Sequence, residues 1–174
     1  MESLKPLVAE APGTTELVGN GDNLHHGPAM HQAMTLRTEE RVLFIDSDCE
    51  IVQGGVLERM LKELDSAPDA YAAGKRIFMN GRGFDVPESP GAIPYLRPVC
   101  LLVDRRLYLT LPPFEKHGAP CLANMKAAAD RGLRLCHVPV DEYVRHLGRG
   151  TAGRFGYRLG LKGKWNHLLN RLGL

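Results

Sequence analysis

Val42-Leu43-Phe44-Ile45-Asp46-Ser47-Asp48 is the stretch that decides how this chain is read. Its four leading apolar residues, two of them β-branched and one aromatic, predict a strand buried on both faces in the middle of a mixed or parallel sheet. The run ends in two carboxylates at i and i+2. Ligands of open α/β sheets bind beyond the carboxyl ends of the strands, so Asp46 and Asp48 are expected in that crevice. Two hard oxygen donors side by side suit Mg²⁺ or Mn²⁺, ions usually shared with substrate phosphates. The plainer alternative is a solvated turn that caps the next segment, since so short a motif recurs without a ligand.

Upstream of this strand, Pro28 stands where a helix over 27–34 would begin, a position that tolerates its missing N–H. Ala29, Met30, Ala33 and Met34 are spaced for one buried face. Downstream, Gly54-Gly55 breaks the chain before a helix over 56–65. Val56, Leu57, Met60, Leu61 and Leu64 form its apolar side, and Pro68 stops it. A strand is predicted over 71–78, followed by Asn80-Gly81-Arg82-Gly83 with hairpin chemistry. Three prolines between 87 and 94 mark a surface loop, and the apolar run 99–103 predicts a second central strand ending at Asp104. A short helix over 105–110, a helix over 121–131 closed by Gly132, and a strand over 133–138 complete the reading. Residues 16–18 suggest one more short strand. Strands alternating with helices indicate an α/β architecture.

At 174 residues the chain fits a single domain, 1–174, able to bury about two-thirds of its unfolded surface. Net charge is only +2, which does not announce a nucleic-acid binder. The charge is unevenly placed, however. No acidic residue follows Glu142, whereas Arg145, Arg149, Arg154 and further Arg and Lys residues do, so 147–174 reads as a basic, glycine-rich loop with an amphipathic end carrying Trp165 and Leu168. That end either packs on its own domain or rests on anionic headgroups. Four cysteines without a C-x-x-C pair argue against zinc and against a disulfide framework. A reduced, cytoplasmic setting is the simplest expectation, with at most peripheral contact with the inner face of a membrane.

The order of these pieces resembles the family 2 nucleotide-sugar glycosyltransferases, which have the GT-A fold. The resemblance is carried by Asn23 with His26-Gly27-Pro28-Ala29, by the 42–48 stretch followed by Gly54-Gly55, by the 99–104 strand, by the segment from Gly118 to Gly132, and by residues 140–146 leading to Gly148-Arg149-Gly150-Thr151. It implies a GT-A-like, Rossmann-like, mostly parallel mixed sheet flanked by helices. It also implies metal-dependent transfer of a sugar from a nucleotide-sugar donor to a sugar, lipid-linked or other hydroxyl acceptor, with inversion. The roles implied are metal binding through Asp46, Asp48 and His146, with Mn²⁺ or Mg²⁺ as cofactor, and closure over the donor diphosphate by Arg149 and Arg154.

Two departures from the family pattern stand out. Only about 20 residues precede the matching region, fewer than the ~30 of a strand-helix-strand unit, so the fold is expected to be N-terminally shortened. The edge of the 42–46 strand would then be exposed, and self-association into a homo-oligomer follows. The second departure is that no acid opens the helix near Gly118. The expected catalytic base is therefore Glu115 or His117. The competing reading is a non-catalytic GT-A-fold module with weak diphosphate affinity. A hydrolase using Asp46 as nucleophile is disfavoured because its other acidic and lysine elements are not visible.

Overall fold

The computed structural model describes residues 24–115 and 118–147. Helix α1 (His26–Leu36) leads into β1 (Arg41–Ile45), a turn, and the short β2 (Cys49–Ile51). Helix α2 (Val56–Leu64), β3 (Ala70–Met79), β4 (Asp85–Val86) and β5 (Ile93–Asp104) follow. Then come α3 (Arg105–Tyr108), α4 (Leu122–Asp130), β6 (Arg134–His137), a 3₁₀ turn (Val140–Glu142) and β7 (Val144–His146). The protein is therefore mixed α/β. Among the described residues no helix is long and apolar enough to cross a membrane.

The helices form where their apolar spacing places them. Val56, Met60 and Leu64 of α2 are buried, as are Met30 and Met34 of α1. In α4 the buried positions are Leu122, Met125 and Ala128, joined by Asn124 rather than by Ala129. Asn124 is satisfied in the core by the Tyr71 hydroxyl at 2.5 Å and the Pro112 carbonyl at 2.7 Å. Gly132 ends α4 at φ 75°, a left-handed conformation that favours glycine. Asp104, buried at the end of β5, caps α3 by accepting from the Leu107 N–H and pairs with Arg41 at 2.5 Å. Its place is structural.

The main sheet has the order β1-β5-β3-β4, with β6 also pairing with β3. Only the β3–β6 pair is parallel, and β1–β5, β3–β5 and β3–β4 are antiparallel. The expectation of a mostly parallel sheet is thus corrected to a mixed, mostly antiparallel one among the described residues. A continuous apolar run reports that both faces are covered but says nothing of direction, which the connections decide. The link from β3 to β5 is a turn and a proline-rich segment without the helical crossover a parallel partner needs, so β5 runs back beside β3. β1 and β3 are both antiparallel to β5, so the strands β1, β3 and β6 still share one direction.

A second correction concerns β1. It is half-buried throughout and, among the described residues, pairs only with β5, so it stands at an edge of the described sheet. The central strand is β5, buried without interruption from Cys100 to Asp104. Its side chains alternate, with Leu101 and Val103 packing under α1 and α4, and Cys100 and Leu102 facing α2, β2 and β7. Residues 1–23, including the strand expected at 16–18, lie outside the described residues, as does the basic tail from 148 onward.

Candidate metal centre

β1 ends where the Asp46 N–H donates to the Val99 carbonyl of β5 at 2.9 Å. The chain then turns tightly, the Cys49 N–H closing on the Asp46 carbonyl at 3.1 Å, and enters β2. Asp-Ser-Asp is therefore a turn, but one whose two carboxylates are partly buried, and it joins the main sheet to a second, two-stranded one. β2 pairs antiparallel with β7 in the register Cys49↔His146, Glu50↔Arg145 and Ile51↔Val144. The Leu147 N–H donates to the Asp48 carbonyl at 2.9 Å, extending the ladder by one bond. That register brings His146 from the far end of the described chain to the side of Asp48.

The His146 Nε2 lies 3.1 Å from Asp48 Oδ1 and 3.9 Å from Asp46 Oδ2. One ligand atom from each of the three residues lies within 4.8 Å of the others. An ion with bonds of about 2.1 Å in octahedral geometry separates neighbouring ligands by about 3.0 Å and opposite ones by about 4.2 Å. Two carboxylates and one imidazole at this spacing fit Mn²⁺ or Mg²⁺ more naturally than an ion that prefers sulfur. Cys49, next in sequence, is withheld from such a role. Burial, with Asp46 and Asp48 adding to it, pushes its thiol up to about 11, and its Sγ faces the Val99 carbonyl.

A fourth side chain, not assigned to the site from sequence, is His26. Its Nε2 is 3.6 Å from Asp46 Oδ1, the oxygen that His146 does not face. His26 opens α1, and His25 before it holds φ 62° and ψ 165°, a region in which residues other than glycine are strained by roughly 1–3 kcal/mol. The two adjacent histidines ahead of Gly27-Pro28 were the available signal, and the fold needed to bring them to β1 was not visible in it. Asp46 is partly buried, which raises its carboxyl above the ordinary range; Asp48 adds to the rise, while His26 and His146 oppose it.

Of the other expected site residues, only Glu115 lies among the described residues. Glu115 is exposed, its N–H closing on the Pro120 carbonyl at 3.2 Å, and it does not belong to the Asp46–Asp48–His146 group. His117, Arg149 and Arg154 lie outside the described residues. No family model matches the chain, and no curated protein or solved structure matches it either.

Proposed function

We propose that the chain is a metal-dependent glycosyltransferase of the GT-A type, moving a sugar from a nucleotide-sugar donor to a hydroxyl acceptor with inversion. One observation carries this reading: Asp46 and Asp48 at a strand end meet His146 at ligand spacing, although nothing in their local sequence connects them. The finer fold assignment is supported by the shared direction of β1, β3 and β6, with the pair of carboxylates at the carboxyl end of β1.

In this reading Asp46, Asp48 and His146 hold Mn²⁺ or Mg²⁺, which, when bound, neutralises charge on a departing nucleoside diphosphate. His26, with Nε2 3.6 Å from Asp46 Oδ1, would help to orient that carboxylate. Arg149 and Arg154 supply further positive charge to the diphosphate, and Glu115 or His117 takes the proton from the acceptor hydroxyl. A binding module without turnover is the second reading, favoured by the exposed position of Glu115, the one described candidate base.

The test is a thermal melt with Mn²⁺ and a nucleoside diphosphate, followed by a screen of nucleotide sugars. Saturation at about 100 times Kd is expected to raise the midpoint by roughly 5–10 °C, and Asp48→Ala to abolish the rise. Donor turnover that needs Mn²⁺ and is lost in the Glu115→Ala/His117→Ala double variant supports the enzyme. Stabilisation without turnover of any donor supports the module. No Mn²⁺-dependent rise in the wild-type chain sinks both.

A further inference from the structure

β5 and β3 part company beside the ligand group. Their register runs Arg76↔Leu96 and then resumes at Gly74↔Leu101, so four residues of β5, 97–100, stand opposite Lys75 alone and the strand bulges. Beside the bulge lies a cavity of about 200 Å³, lined from both strands and from residues 140–146. Val99 and Val140 line it together with Lys75, Arg97, Asp141 and His146. At ~30 Å³ per water, that is room for roughly six or seven waters, enough for one anionic group and part of a sugar ring.

Two cations border this space, Lys75 at the register shift and Arg97 on the bulged segment. Each is pre-placed by an ion pair, Lys75 with Asp141 and Arg97 with Asp85, and all four side chains are exposed by more than a third. Exposed pairs contribute little and exchange readily for a doubly charged or bidentate anion. His146 belongs both to the cavity wall and to the ligand group, so a molecule held by the two cations reaches the ion site without leaving the cavity.

We infer that this cavity is a subsite for an anionic group, phosphate or carboxylate, of the molecule the protein acts on, gripped by Lys75 and Arg97 next to His146. Assigning that molecule as a sugar substrate rests on the glycosyltransferase reading. The anion subsite itself does not.

The full chain is titrated calorimetrically with inorganic phosphate and with glucuronate, each with and without Mn²⁺, alongside the Lys75→Ala/Arg97→Ala double variant and Lys75→Arg. At least one of the two anions is expected to bind the wild type and to lose 10-fold or more in affinity in the double variant, with Mn²⁺ affinity unchanged and Lys75→Arg close to wild type. The anion that shows the loss identifies the group. Equal affinity in wild type and a folded double variant overturns the inference, and so does the absence of binding by both anions. Should the double variant fail to fold, Lys75→Gln and Arg97→Gln singly carry the same comparison. Mn²⁺ failing to bind while anion affinity still depends on Lys75 and Arg97 sinks the metal reading alone. Mn²⁺ binding through Asp48 with anion affinity indifferent to the two cations sinks the cavity alone.

Discussion

Asp46 sits where burial disfavours its charge and a second carboxylate lies two residues away. Its raised pKa means that folding binds a proton between the ordinary carboxylate range and the raised value. Stability therefore falls as pH rises through that interval and stays lower above it. Asp46→Asn removes the charge and with it this penalty. Without divalent metal the variant is expected to melt above wild type at neutral pH, the gap closing as pH falls below the ordinary carboxylate range. With Mn²⁺ the order reverses, because only the wild type gains from the ion. Melting curves from about pH 3 to about pH 8 check this, and a variant that melts below wild type in chelator argues against it. At this scale the sequence was informative for Asp46 and Asp48, whose position follows from an apolar strand running into acid. It was uninformative for His26, because its partner oxygen is reached only once α1 docks beside β1.

Among the elements, β5 does most to shape the site. It is the central strand, it receives the Asp46 N–H, and its bulge lies beside the cavity. Gly74 permits this, since a Cβ there would stand 3.2 Å from the Cys100 carbonyl oxygen and 3.4 Å from Leu101 Cδ1. Gly74→Ala is expected to destabilise the protein by about 1–3 kcal/mol in urea denaturation, as other overpacked cores do; an unchanged midpoint would show that the strand yields freely. Helices and strand positions were legible because periodicity and turn residues are local. Val56, Met60 and Leu64 repeat at helical spacing, and Asn80 folds its own turn by accepting from the Arg82 and Phe84 N–H groups. Strand direction was not legible, since the apolar run 99–103 has the same composition whether it runs with or against β3. Nor was the full length of β5, because Pro94 and Pro98 lie within it and prolines read as loop.

For the molecule as a whole, two apolar cores lie on opposite faces of one sheet, and one edge of that sheet, the outer side of β1, has no hydrogen-bonded strand among the described residues. Such an edge accepts another strand. Self-association is the expected outcome, visible by light scattering as a mass above 19.2 kDa that grows with concentration; a strict monomer at high concentration counts against it. The turn from Asp46 to Cys49 has a further consequence. Two of the three ligands leave the large sheet and the third returns on the small one, whose strands are only three residues each. An ion there would rivet a short flap to a rigid plate. Amide hydrogens of residues 144–146 should then trade with deuterium markedly more slowly in Mn²⁺ than in chelator, while those of β5 keep their pace.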